Sequence, residues 1–106
     1  MFRHSYAVIW QEGEGSVNAG ELVLGPKSLR LETGARRERL SAQSLRYEDF
    51  TSVETARPAG RIHGRPTVVV ERDGRDRLAI AAVDGFGSLR EIVERLDGLV
   101  PSRAEP

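Results

Sequence analysis

Arginine supplies the most chemically suggestive pattern in this sequence, since all but one of its 16 basic residues are arginine. A guanidinium group binds phosphate or carboxylate through paired hydrogen bonds, so clustered arginines are candidate anion or partner sites. Two clusters stand out, one in a predicted loop and one on a predicted edge strand: Arg57, Arg61 and Arg65, with His63 among them, and Arg36, Arg37 and Arg39. The simpler interpretation, which we favour, is a solvated loop and an edge that charge protects against strand pairing.

Other candidate motifs lack the context that their chemistry needs. Gly85-Phe86-Gly87 has the spacing that begins a dinucleotide-binding fingerprint, but Arg90 takes the place of the third glycine and Asp84 would repel a pyrophosphate. His4 and His63 are isolated from any carboxylate pattern that would indicate a metal site. The sequence therefore predicts no catalytic, cofactor-binding or metal-binding residues, and we expect a protein that is not an enzyme.

Length and composition set further limits. A chain of 106 residues matches one domain, which we place at residues 1–100, followed by a disordered polar tail at 101–106. The 16 basic residues balance 16 acidic ones, so no net field favours nucleic acid as a partner. The sequence has no cysteine, no apolar leader at Met1 to His4 and no long apolar run, so we expect a cytoplasmic protein without a transmembrane segment.

Alternating apolar residues bounded by turn residues predict seven short strands. Tyr6, Val8 and Trp10 show the pattern most clearly. The segment from Leu45 to Phe50 reads as an irregular or single-turn connection. The predicted strands are Tyr6–Gln11, Val17–Leu24, Leu29–Leu31, Arg36–Ser41, Phe50–Arg57, Thr67–Glu71 and Arg77–Val83.

A helix is predicted over Phe86–Leu99, because apolar residues recur there at steps of three and four. The apolar face consists of Phe86, Leu89, Ile92, Val93, Leu96, Leu99 and Val100. Gly98 is a residue at which the helix can end, and Pro101 prevents its continuation.

Seven strands followed by a helix is the order of elements in the pleckstrin-homology-like barrel. The stretch Leu45–Val53, with its Tyr-Glu-Asp-Phe run, resembles the segment before the fifth strand in bacterial pleckstrin-homology and related GRAM domains. Leu78-Ala79-Ile80 followed by Phe86–Leu96 is similar to the last strand and capping helix of that family. The resemblance implies a mainly β fold: a seven-stranded bent barrel of two nearly orthogonal antiparallel sheets, capped by one C-terminal α-helix.

The resemblance also suggests functions. Phosphoinositide binding in this family relies on basic residues around the first loop, but here that loop carries Glu12 and Glu14. We therefore expect a non-catalytic intracellular interaction module that binds a protein segment or self-associates, through a groove between the fifth strand and the helix or through the edge at 36–40. The alternative is a peripheral module that binds anionic phospholipid headgroups or another phosphoryl ligand through Arg57, Arg61 and Arg65.

Overall fold

The computed structural model of the chain describes residues 5–33, 42–84 and 86–100. Within these ranges the chain forms seven strands, three single 3₁₀ turns and one α-helix. The strands are β1 (Ser5–Glu12), β2 (Val17–Leu24), β3 (Ser28–Thr33), β4 (Ala42–Arg46), β5 (Phe50–Thr55), β6 (Thr67–Arg72) and β7 (Leu78–Ala82), and the helix is α1 (Phe86–Leu99). The 3₁₀ turns are Tyr47–Asp49, Pro58–Gly60 and Ile62–Gly64.

All seven strands belong to one antiparallel sheet in the order β4-β3-β2-β1-β7-β6-β5. The sheet curls into a half-barrel, with β4 and β5 as its two edges. The predicted mainly β fold with seven strands and one C-terminal helix is confirmed. The division into two nearly orthogonal sheets stays a prediction, as does the boundary of the single domain at residue 100.

The core lies between the concave face of the sheet and α1. Alternate residues of the strands point inward, as a pleated backbone requires, and the apolar stripe of α1 covers them where the helix packs on β5, β6 and β7. Leu89, Ile92 and Leu96 of this stripe are buried, and Val93 and Leu99 are half-buried against the core. The helix has the predicted bounds and ends at Leu99, one residue after Gly98.

The fourth strand that the structure describes follows the predicted one in the chain. Residues 34–41, which include the whole of the predicted strand Arg36–Ser41, lie outside the described residues, and so does the predicted tail at 101–106. The strand that pairs with β3 is Ala42–Arg46, in which Leu45 is buried opposite Leu29. The predicted single-turn connection before the fifth strand is confirmed as the 3₁₀ turn Tyr47–Asp49, but it begins after Arg46, because pairing with β3 makes Leu45 and Arg46 part of β4.

Tyr47 anchors the turn that carries the chain from β4 to β5. Its hydroxyl donates a hydrogen bond to the carbonyl oxygen of Gly25 at 2.8 Å, and its ring packs edge-to-face on Phe50 with centroids 5.9 Å apart. Burial raises the pKa of Tyr47 to about 12, because the charged phenolate would be poorly solvated there, although the positive charge of Arg95 opposes the shift.

We expect Leu96→Ala to lower the free energy of unfolding by about 2–5 kcal/mol, because it leaves a cavity beneath the helix. Leu96 is fully buried, whereas Glu94 on the same helix is exposed, so Glu94→Ala should cost almost nothing. Urea denaturation of the two variants measures the difference. Equal losses would mean that the helix packs through another face.

We expect the stability of the protein to fall between about pH 10 and pH 12, because an unfolded tyrosine with its ordinary pKa near 10 loses its proton before folded Tyr47 does. The contribution is present below pH 10 and is lost as the pH rises towards 12. Tyr47→Phe should weaken this pH dependence, although loss of the hydrogen bond to Gly25 lowers stability at every pH. Urea denaturation of the wild type and the variant at neutral and alkaline pH measures this pH dependence. If the variant lost as much stability at alkaline pH as the wild type, the raised pKa would not belong to Tyr47.

Candidate functional site

The outer edge of β5 presents backbone groups that the sheet does not use. Antiparallel pairing alternates between residues that exchange hydrogen bonds with the neighbouring strand and residues that point away from it. The amide of Ala56 donates to the carbonyl oxygen of Thr67 at 2.8 Å. In the register that pairs Thr55 with Val68 and Glu54 with Val69, Glu54 therefore bonds to β6, and the N–H and C=O groups of Val53 and Thr55 point outward.

The side chains of Val53 and Thr55 lie on the face of β5 that carries the core, since residues two apart in a strand share a face. Val53 is half-buried against the core, and Thr55 is exposed beside the helix. Glu54, on the opposite face, is exposed. The outward-pointing backbone groups thus belong to the residues nearest the helix.

A groove of about 540 Å³ lies between the end of β5 and the first two turns of α1; we call it the β5–α1 groove. It is lined by Thr55 on the strand and by Gly87, Leu89, Arg90, Val93 and Glu94 on the helix. Leu89 is buried and Val93 half-buried, so both offer apolar surface in the groove, while Arg90 and Glu94 are exposed. Gly87 lacks a side chain, and a Cβ added there would meet no atom within 4 Å, so the groove is open at this position.

This combination fits an extended peptide. A strand that aligns with the edge of β5 gains hydrogen bonds from Val53 and Thr55, and its alternate side chains reach the apolar floor at Leu89 and Val93. The groove has the position predicted from the sequence, between the fifth strand and the helix. The alternation of Val53 and Thr55 is visible in the sequence, but which backbone groups face outward depends on the register with β6.

The predicted arginine loop folds into two consecutive 3₁₀ turns that buried Ile62 anchors. Arg57 is exposed, and Arg65 Nη1 donates to the carbonyl oxygen of Val83 at 3.3 Å. Arg61 is half-buried, with its Nε enclosed and without a hydrogen-bond partner. All three arginines lie in one connection between β5 and β6, and their role in binding an anion stays a prediction.

The surface around Arg57 carries both basic and acidic side chains. Arg57 lines a cavity of about 450 Å³ that Glu54, Glu71 and Arg77 also line, so positive and negative side chains alternate there. The other predicted cluster, Arg36, Arg37 and Arg39, lies outside the described residues, as does the edge at 36–40.

Sequence reasoning missed Arg72, whose side chain is only 2% exposed. Arg72 is the last residue of β6, and its side chain points into the core. Its Nη2 forms an ion pair with Oε2 of Glu12, the last residue of β1, at 2.8 Å. An arginine beside a turn normally faces solvent, so burial of Arg72 is not expected from its position. The one indication in the sequence is the alternation that places Val68, Val70 and Arg72 on one face of β6. Glu12, predicted as part of an acidic first loop, is therefore held by an arginine of β6, which lies on the other side of β7 from β1.

The comparisons with known proteins concern the fold alone. The sequence matches no protein-family model and no curated protein. Among solved structures, the chain is similar to the C-terminal domain of an unknown protein from Leishmania infantum, with a TM-score of 0.64 and 13% sequence identity over 87% of this chain and 80% of that one. In the described part of the chain, α1 is too short and too polar to cross a membrane.

Substituting proline along β5 tests which backbone groups face outward. The N–H of Thr55 points away from β6, so Thr55→Pro should leave the pairing intact, whereas Glu54→Pro removes a hydrogen bond to β6. We expect Glu54→Pro to lower the free energy of unfolding by at least about 1 kcal/mol more than Thr55→Pro does. Native-state hydrogen exchange on the wild type provides a second readout, in which the amides of Val53 and Thr55 should exchange faster than that of Glu54. The reverse order in either experiment would show that the edge has the other register.

Proposed function

We propose that this protein is a non-catalytic intracellular interaction module, and that it binds an extended segment of a protein partner at the β5–α1 groove. The segment adds a strand to the edge of β5 and places apolar side chains on Leu89 and Val93. The fold proposed for the module is the pleckstrin-homology-like bent barrel, in which the seven strands form two nearly orthogonal sheets and α1 caps one end.

The observation that carries this proposal is that unpaired backbone groups and an apolar groove lie side by side at the edge of β5. The outward N–H and C=O groups of Val53 and Thr55 provide hydrogen bonds for a strand, and the adjacent groove provides apolar surface for its side chains. An exposed edge strand alone can pair with any other strand and gives no specificity. A groove alone does not favour an extended backbone over other shapes. Together they favour an extended peptide with apolar residues at alternate positions.

Two other occupants are tested by the same experiment. A second copy of the chain could pair its own β5 edge here, in which case binding would depend on protein concentration. An anionic lipid or phosphoryl ligand would instead use Arg57, Arg61 and Arg65, and its binding would weaken steeply with salt. Because the groove is lined by Arg90 and Glu94 of opposite charge, peptide binding should depend much less on salt.

Filling the groove should abolish peptide binding without harming the fold. Gly87→Leu adds a side chain at the groove wall in a position with free space, and leucine favours a helix more than glycine does. We expect peptides selected from a random display library on the wild-type protein to lose at least about tenfold in affinity for Gly87→Leu, since one or more buried contacts disappear. Fluorescence anisotropy measures the affinities at two salt concentrations, and analytical ultracentrifugation measures self-association.

Gly98→Leu is the matched control, because Gly98 lies on the same helix, is equally uncrowded and does not line the groove. It should bind the selected peptides as the wild type does. Peptides that bind both variants equally would place the site elsewhere, and binding that is lost only when Arg57, Arg61 and Arg65 become alanine would favour the anionic ligand. Dimerisation that only Gly87→Leu prevents would favour the second copy.

A further inference from the structure

The convex face of the sheet, on the side away from α1, carries exposed apolar side chains. Along each strand, residues that face outward alternate with residues of the core. In the middle strands the outward residues form a patch that we call the convex strip: Ala7 and Ile9 of β1, Val17 and Ala19 of β2, and Val83 directly after β7. Val17 and Val83 are 37% and 42% exposed, and they are the large apolar residues that the described part of the chain leaves exposed. An exposed apolar patch is typical of a surface that binds another protein.

One row of residues across this face has a charge at each end. The register places Glu21 of β2 opposite Ala7 of β1, and the amide of Val83 donates to the carbonyl oxygen of Ala7 at 3.0 Å. Arg65 comes next, since its Nη1 donates to the carbonyl oxygen of Val83 at 3.3 Å. The row is therefore acidic at Glu21, apolar at Ala7 and Val83, and basic at Arg65.

Glu21 faces another acidic side chain. It is exposed, and the register with β3 places it directly opposite Glu32, an arrangement of like charges that lowers stability. Arg30 pairs with Glu32 at 2.5 Å, whereas Glu21 forms no ion pair with any described residue. Arg65 stands three strand spacings away, about 14 Å, which is too far for an ion pair within the chain. An arginine from a second molecule would offset this repulsion.

Arg65 ends a basic loop that stands on the convex face beside the strip. Ile62 of this loop is buried, and its amide donates to Oγ1 of Thr67 at 3.0 Å. Thr67 and Ala81 face outward, yet both are completely buried, so the loop covers them. From Arg57 to Arg65 the loop contains no acidic residue, and Arg65 forms no ion pair with any described residue. The loop is therefore a raised basic edge beside the apolar strip.

The remaining charges on the strands of this face balance locally. On β3, Arg30 neutralises Glu32. On the β5 side of the face, two acidic and two basic residues line one cavity: Glu54, Glu71, Arg57 and Arg77. Among these, Nε of Arg77 lies 3.1 Å from Oε2 of Glu71. The described charges left unbalanced beside the strip are Glu21 on one side and Arg61 and Arg65 on the other.

We propose that two copies of the chain form a symmetric dimer through their convex strips, an interface that is separate from the β5–α1 groove and goes beyond the peptide-binding function. A two-fold axis parallel to β1 places the acidic side of each face against the basic side of the other. Glu21 of each copy pairs with Arg65 of the other, and the strip residues pack between these two ion pairs. A second copy is the partner because the face is complementary in charge to itself.

The shape of the face supports the same partner. The sheet is curled, so its convex face falls away on both sides of the middle strands. In the dimer, the raised loop of each copy fills the gap on the β2 side of the other copy, where Glu21 lies. The small side chains of Ala7 and Ala19 let the two sheets approach closely. The chain has no net charge, so two copies do not repel each other at long range.

Sedimentation velocity of the full chain at about 0.1 mM tests the proposal, and we expect twice the chain mass of 11.7 kDa. Glu21→Arg and Arg65→Glu each place two pairs of like charges in the interface, so each should weaken dimerisation at least about a hundredfold. Asp97→Arg is the matched control, because it makes the same charge change on an exposed residue of α1. This control and Gly87→Leu should both dimerise as the wild type does.

Mixing the two charge variants separates a contact between copies from damage to the fold. In a dimer of one Glu21→Arg chain and one Arg65→Glu chain, both contacts join opposite charges, so the equimolar mixture should dimerise although each variant alone is monomeric. A wild type that is monomeric at about 0.1 mM, a dimer that survives both single substitutions, or a mixture that stays monomeric would each overturn the proposal. A dimer that Gly87→Leu dissociates would also overturn it, because the second copy would then occupy the β5–α1 groove.

Discussion

Packing of the apolar stripe of α1 on β5, β6 and β7 is the interaction on which the rest of the structure depends. The sheet is curled and presents its apolar face inward, so that face needs a cover, and Leu89, Ile92 and Leu96 provide it. Burial of each such side chain stabilises the fold by about 1.5–3 kcal/mol. The hydrogen bond from the hydroxyl of Tyr6 to Glu91 Oε2 at 3.0 Å adds a polar contact between the same helix and β1.

This packing also determines where the proposed partner segment would bind. The helix covers the inward face of β5, and the N–H and C=O groups of Val53 and Thr55 point away from β6 at the edge beside it. The groove is therefore a consequence of placing a helix beside an edge strand. At the other end of β5, a shift in register between Phe50 and Ser52 disturbs the pairing, whereas the pairing from Ser52 to Thr55 is regular. The regular end of the edge is the one that adjoins the groove.

The sequence predicts best the elements whose periodicity is strong and continuous. The helix Phe86–Leu99 and the strand Val17–Leu24 have the predicted bounds, because apolar spacing and flanking glycine or proline residues define both of them locally. The strand Ala42–Arg46 was not predicted, because it is ordered by pairing with β3 and Leu45 is its one strongly apolar residue. Local patterns cannot reveal a partner strand that is distant in sequence.

The candidate sites were also predictable only as far as they depend on local patterns and not on contacts between residues distant in sequence. A groove between the fifth strand and the helix follows from element order, so the sequence predicts its position, but the outward direction of the backbone at Thr55 depends on the register with β6. The contact of Arg72 with Glu12 depends on strand order, since β1 and β6 flank β7, and the sequence does not show that order. Arg57, Arg61 and Arg65 stand out in the sequence because they lie close together along the chain, which is a local pattern.

The central claim is that a peptide becomes an additional strand on β5. The most direct measurement is an NMR structure of the protein with a selected peptide, in which cross-strand contacts identify the paired residues. We expect contacts between the peptide backbone and Val53 and Thr55, and between the peptide side chains and Val93. Contacts confined to the loop that carries Arg57, Arg61 and Arg65, with none to β5, would contradict it.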